Sequence, residues 1–224
     1  MLAGRHPGQV MGASLLRAAA FHVVRWLRSK SEAVRIDCRG RRRPQIMVEA
    51  EQPATFRAYR QADYEQVAAL WVRINRELAP ADMREQFEQY IATALLGELR
   101  QLEDIFSEAK RNAFWIVEIN GGVIGTFGIE SRSQDTTELR RMYLDRRHRG
   151  RGIAQRMLQF AEARARDFGF SMLILSTAEI QRAAISFYRK SGYRLVKTEL
   201  ADAMSTKTVG GGLKRFHFEK PLGG

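Results

Sequence analysis

From Thr55 onward the apolar and polar residues fall into short regular patterns, and each pattern predicts an element. Thr55–Tyr59 alternates with the period of two expected of a strand. Asp63 followed three residues later by Gln66 reads as a capping box opening a helix, with Val67, Leu70, Trp71, Ile74 and Leu78 as its buried stripe. Pro80 interrupts that pattern. A second helical stripe (Met83, Phe87, Tyr90, Ile91, Ala94, Leu95) runs to Gly97, and a third stretch through Leu102, Ile105 and Phe106 ends near Asn112. Two apolar runs, Phe114–Ile119 and Val123–Glu130, flank Asn120-Gly121-Gly122, a strong hairpin signal. Glu138–Leu144 follows as a third strand of that meander.

Beyond this point strands and helices alternate. Ile153–Phe168 reads as a helix with Met157, Leu158, Phe160, Ala161 and Ala165 inward, and Met172–Leu175 as a strand buried on both faces. Gln181–Ser191 is a helix stopped by Gly192, Tyr193–Thr198 a strand, and Leu213–Lys220 a final alternating strand after Gly210-Gly211-Gly212. An antiparallel meander followed by a β-α-β-α-β series predicts a mixed α/β sheet, and no internal repeat is visible.

The 224 residues are 45% hydrophobic and 28% charged, which fits one globular domain of residues 53–222 plus an extension over residues 1–52. The single Cys38 excludes an internal disulfide framework and any multi-cysteine zinc site, and the four histidines show no ligand spacing, so no metal is expected. Net charge is +12. Half of that excess sits in residues 1–52, where residues 1–31 have no acid and Arg17, Arg25 and Arg28 share one side of an amphipathic pattern. The pattern is too short and too charged for a transmembrane span. A basic tail, a transit peptide, a membrane-surface helix and a start at Met47 all remain open; nucleic acid is expected as a partner only through residues 1–43. A cytoplasmic location is expected, and a homodimer is left open.

The most informative segment runs from Glu138 to Ala154: a strand, a basic turn containing Gly150 and Gly152, then a helix start. Glycines free backbone N–H groups to converge, and a helix N-terminus adds unpaired donors, so the turn reads as an anion cradle with Arg149 and Arg151 able to add charge. A plain strand-to-helix turn with solvated arginines has the same sequence.

Arg149-Gly150-Arg151-Gly152-Ile153-Ala154 resembles the Gln/Arg-x-x-Gly-x-Gly/Ala signature of the GNAT superfamily of acyl-CoA-dependent N-acetyltransferases, and Ala184–Tyr193 is similar to that superfamily's second motif. The resemblance spans roughly Thr55 to Leu222. It implies a fold with a splayed central strand pair, with acetyl-CoA as co-substrate. By position, Met142, Tyr143 and Leu144 would bind the pantetheine arm, and the amides of Arg149, Gly150, Arg151, Gly152, Ile153 and Ala154 the pyrophosphate. Tyr188 matches the tyrosine that gives a proton to the departing thiolate. Glu138 matches a strand carboxylate that serves some members as general base through water. Gln181 departs from the Asn frequent at its place, and His148 is expected to face solvent.

The implied reaction is direct transfer of acetyl to an amine in a ternary complex, with no covalent enzyme intermediate. The acceptor is set in this fold by residues 63–112 and 201–212, where Glu77, Asp82, Glu85 and Glu88 read either as an acidic mouth for a cationic amine or as a solvated helix face. A non-catalytic acyl-CoA-binding or nucleic-acid-associated module is the competing class.

Overall fold

The computed structural model describes residues 53–205 and 207–223, so the readings made for residues 1–52, including Cys38, lie outside the described residues. Strand β1 (Thr55–Ala58) is followed by helices α1 (Tyr64–Leu78) and α2 (Arg84–Leu96) and a single turn, α3 (Leu102–Ile105). The meander β2 (Ala113–Ile119), β3 (Gly122–Ser131) and β4 (Thr136–Leu144) comes next. Helix α4 (Ile153–Asp167), β5 (Met172–Ala178), α5 (Arg182–Lys190), β6 (Arg194–Ala201) and β7 (Leu213–Pro221) complete the domain. The seven strands form one mixed sheet in the order β1-β2-β3-β4-β5-β7-β6, with β4 and β5 its parallel pair.

Strand alternation distributes the core over both faces. On β2, Trp115 and Val117 join Met157, Leu158, Ala161 and Phe218 under α4 and α5, while Phe114 and Ile116 join Val67, Trp71, Phe87 and Ile91 under α1 and α2. Helix α4 buries Met157, Leu158, Ala161 and Ala165 completely, as their spacing predicts. Its buried Glu162 accepts from Tyr193 Oη (3.0 Å) and Lys220 Nζ (2.8 Å), fastening the helix to the last strands. Asn120 and Gly121 are both left-handed (φ 51° and 77°), giving the two-residue hairpin their sequence calls for.

Three expectations are corrected. The carboxylate of Asp63 does not cap α1: it accepts from Arg57 Nη1 (2.7 Å) and Nη2 (2.8 Å) and from the Arg60 amide (2.9 Å), because a bidentate guanidinium outcompetes a lone helix amide. Gln66, the other half of that box, accepts from the Val123 amide instead (3.0 Å). The stretch from Leu102 to Asn112 is a run of short turns with only one α-helical turn. Strand β5 is longer than its apolar run: Leu173, Leu175 and Thr177 are buried, while Met172, Ile174 and Ser176 are only half-buried. Its second face borders a cavity.

Candidate active site

The cavity starts where β4 and β5 part. They pair only at Thr136–Met172, Thr137–Leu173 and Glu138–Ile174, so from Leu139 on β4 has an open edge toward β5. A bulge within β4 sharpens the divergence: its register against β3 shifts between Tyr143 and Arg140, and Arg141 adopts φ 49°, unusual for a side chain of that size. Contacts on three sides hold it there. Thr126 Oγ1 donates to the Arg141 carbonyl (2.9 Å), Glu98 accepts from Arg141 Nε and Nη2 (2.9 and 2.6 Å), and the guanidinium lies 5.3 Å from the Trp71 ring. Beyond the bulge Met142 turns toward the α4/α5 face and Tyr143 toward the α1/α2 face. The Leu144 carbonyl accepts from Arg149 Nε (3.0 Å), and Tyr143 pairs with Thr126 of β3, so Met142 carries the more accessible part of the edge.

After β4 the chain makes the basic turn. Buried Asp145 accepts from the Arg147 amide (2.9 Å) and from Arg73 Nη2 (2.6 Å), tying the turn to α1, and the Arg147 and Arg73 guanidinium groups hold its carboxyl well below the usual carboxylate range. Gly150 and Gly152 take φ 76° and 75°, and a Cβ at either would meet no atom of the described residues within 4 Å. Residues 149–152 are exposed, Ile153 is packed in the core, and the first amides of α4 have no acceptor within the helix. His148 is half-buried rather than solvated, and its Nδ1 is buried with no partner among the described residues.

Tyr188 reaches the opening from α5. Its ring packs against Tyr193 and Phe218 (centroids 5.8 and 6.2 Å), and among the described residues its hydroxyl meets only the Met142 sulfur, at 3.8 Å. Burial pushes the phenol well above its ordinary value, so it stays protonated. Gln181 accepts from Thr177 Oγ1 (2.7 Å) and the Ala178 amide (3.2 Å), a structural task at the β5–α5 junction.

Glu138 lies on the opposite side of the cavity, buried rather than solvated. Its Oε2 accepts from Arg132 Nε (2.6 Å) and from Lys207, and Oε1 has no hydrogen bond among the described residues. Burial works against its charge, yet Lys207, Arg132 and Arg140 outweigh burial and hold the carboxyl below its ordinary value. Arg140 in turn is paired with Glu98 (3.0 Å) and with Glu130. The sequence reading missed Lys207, Arg132 and Glu98. Lys207 belongs to the 201–212 loop, and no local pattern places it beside Glu138.

The cavity encloses about 130 Å³ and is lined by Glu138, Met142, Tyr143 and Tyr188 together with Lys207 and Arg215. Glu77, Asp82, Glu85 and Glu88 are exposed and none lines it, which fits the solvated helix face and not an acidic mouth; Glu88 is paired with Arg76 (2.7 Å). Among the described residues no three His, Cys, Asp or Glu side chains cluster as a metal site, and no helix is long and apolar enough to cross a membrane.

A family model described as the acetyltransferase (GNAT) family matches residues 71–193. N-acetylaspartate synthetase from Danio rerio is 31% identical over 118 residues, covering 50% of this chain and 40% of that protein. N-acetyltransferase 8B from Homo sapiens is 28% identical over 116 residues, 50% of this chain and 51% of that protein. The chain thus spans about half the length, or less, of these curated relatives. Among solved structures, a GNAT-family acetyltransferase from Staphylococcus aureus has a TM-score of 0.59 at 16% identity, covering 76% of this chain and all of that one. A PaiA N-acetyltransferase from Thermoplasma acidophilum, solved in complex with coenzyme A, has a TM-score of 0.56 at 19% identity over 76% of this chain and 99% of its own. At such identities the structural likeness is one of fold. With over half its length inside the family model and a fold to match, the chain belongs to the GNAT family of acetyltransferases.

Proposed function

We propose that this chain transfers the acetyl group of acetyl-CoA to a primary amine by direct attack while both substrates are bound. The observation that carries the reading is the Tyr188 hydroxyl: buried, protonated and facing the β4–β5 opening, with only a thioether as partner among the described residues. The residues around it fit the cofactor. The open edge of β4 at Met142 offers backbone groups to an extended amide-bearing arm, as a neighbouring strand would. The turn from Arg149 to Ala154 offers backbone amides to a diphosphate, and among the described residues no atom lies within 4 Å of where a Cβ at Gly150 or Gly152 would stand.

Acetyl-CoA supplies the activated acyl group and a thiol leaving group. Tyr188 donates its proton, or a strong hydrogen bond, to that sulfur as negative charge gathers on it. Amides on the open edge of β4 donate toward the carbonyl oxygen. The amine must be neutral to attack. Glu138 Oε1 takes the proton through a water, and although a carboxylate held low is a weak base, the cations that hold it low also depress a nearby ammonium.

Calorimetric titration of acetyl-CoA into the full chain, paired with thiol detection of CoA release over an amine panel, tests the reading. A 1:1 isotherm with amine-dependent release supports it. A folded chain that binds no acetyl-CoA overturns it, and binding without release on any amine assigns the chain to the non-catalytic class.

A further inference from the structure

One side chain in the cavity wall is used neither by the fold nor by the transfer chemistry above. Arg215 stands on β7 opposite Ala178 of β5, on the polar face of the sheet that also carries Glu138 and Ser176. It is only 8% exposed. Its one hydrogen bond among the described residues goes from Nη2 to Ser176 Oγ, and no carboxylate among them lies within ion-pair distance of it; Glu199, its cross-strand neighbour on β6, is taken by Lys197 and His217. Every other cation of this face is matched: Arg132 and Lys207 on Glu138, Arg140 on Glu98 and Glu130, Arg141 on Glu98. These four cations already share three carboxylates, so Arg215 raises the local excess to two positive charges.

A buried guanidinium with most of its donors unused is costly unless something else meets it. Water in the cavity does so in part, and a planar anion does so better, since the fork of N–H groups matches a carboxylate. Burial already pushes the Arg215 guanidinium below its ordinary value, the direction that an incoming anion reverses. The diphosphate of the cofactor has its own cradle after the far end of β4, whereas Arg215, Ser176 and Lys207 border the cavity where β5, β7 and the 201–212 loop meet.

We propose that the acceptor is an amine that carries a carboxylate, and that Arg215, positioned by Ser176 and assisted by Lys207, holds that carboxylate while the amine faces the β4–β5 opening. The inference rests on the amine-acetylation reading given above and narrows it to anionic amines. It has a mechanistic corollary. The positive excess that binds the carboxylate lowers the pKa of the attached ammonium, so the same charge selects the substrate and helps to present its amine neutral. Diamines and polyamines, which bring more positive charge into an already positive cavity, are excluded as good acceptors.

Two measurements on the full chain test this, one of which needs no turnover. In the first, thermal melts at constant ionic strength compare succinate with succinamide, with CoA present to fill the cofactor turn. Succinate is expected to raise Tm in the wild type and not in Arg215→Gln, while succinamide does neither. In the second, CoA release is followed with free amino acids against their carboxamides. The carboxylates are expected to be preferred by about 10–100-fold in kcat/KM, the worth of one to two hydrogen bonds to a charged group. Arg215→Gln removes that preference by raising KM with the acetyl-CoA affinity unchanged, and Arg215→Lys restores part of it. Carboxamides or diamines as the better acceptors, or succinate that stabilises no more than succinamide, overturn the inference. Succinate stabilisation without turnover on any amine upholds the anion site while refuting the transfer reading, so the two fail separately. The wild-type melts decide the matter even if Arg215→Gln does not fold.

Discussion

Tyr188→Phe is the perturbation that best separates chemistry from architecture in this molecule, because it deletes one oxygen and leaves the ring packing on Tyr193 and Phe218 in place. The structural cost follows from the lost partner. A neutral hydrogen bond contributes about 0.5–1.5 kcal/mol, and a thioether at 3.8 Å is a poor acceptor, so the loss lies at or below about 0.5 kcal/mol. That corresponds to a fall in Tm of about 1–2 °C for a domain of this size. The catalytic cost is set by a different state, in which the hydroxyl faces a sulfur gaining negative charge in a site with little water. Removing one such directed donor elsewhere costs about 10²–10³ in kcat, roughly 2.7–4 kcal/mol. Activity is therefore expected to fall several times further, in free energy, than stability does. Steady-state CoA release gives kcat, calorimetry gives the acetyl-CoA affinity, which should not change, and a thermal melt gives the stability. Since burial raises the phenol, wild-type kcat should show no basic limb from Tyr188 up to about pH 10, the ordinary tyrosine value. A variant that keeps kcat within about threefold across that range refutes the donor role, as the 10²–10³ figure leaves no room for it. A drop of more than about 8 °C in Tm would instead make the hydroxyl a structural group.

Gly150→Ala and Gly152→Ala each place a Cβ on a left-handed backbone, a strain of about 1–2 kcal/mol that moves the turn; acetyl-CoA affinity, read by calorimetry, should fall about tenfold with kcat at saturation little altered. Glu98→Gln strips the carboxylate from buried Arg141 and from one side of Arg140, and breaking such a buried pair costs about 3–5 kcal/mol, so Tm should drop by about 6–20 °C. Glu88→Gln, on the exposed pair with Arg76, should leave the melt unchanged within error. Asp63, Glu98, Glu138 and Asp145 all have folded-state values below their ordinary ones, so their contribution to stability is present above about pH 4.5 and is lost as pH falls through the depressed values. A Tm that stays flat down to about pH 3 would show that these carboxylates are not held as described.

Periodicity reports on which residues a local element turns inward, and those were the features the chain announced. The α4 stripe, the Asn120-Gly121 hairpin and the alternation of β2 depend on neighbours within a turn or two, so spacing fixed them before any tertiary contact was considered. The turn from Arg149 to Gly152 was legible for the same reason: two glycines between a strand and a helix leave few other conformations. Capping at Asp63 was misread because its carboxylate had a choice that sequence spacing does not rank, between a nearby amide and the Arg57 guanidinium, and the charged partner prevailed.

The site itself divides along the same line. Amino-acid order determined which elements exist, which glycines bend and which tyrosine ends up at the seam. The electrostatics of the cavity were decided only by the tertiary structure. Glu138, Lys207 and Arg215 come from β4, a loop and β7, separated by dozens of residues, and whether each is paired or left over depends on distances that no local pattern encodes. Exposed glutamates on α1 and α2 looked like the mouth of the site, while the cations that line it sat in stretches that read as ordinary strand and loop. Hydrophobic spacing is a property of neighbours along the chain, whereas charge balance in a cavity is a property of everything that folds around it. For that reason the sequence could state the fold and the reaction class, and only the folded chain could bring together the charges that border the cavity.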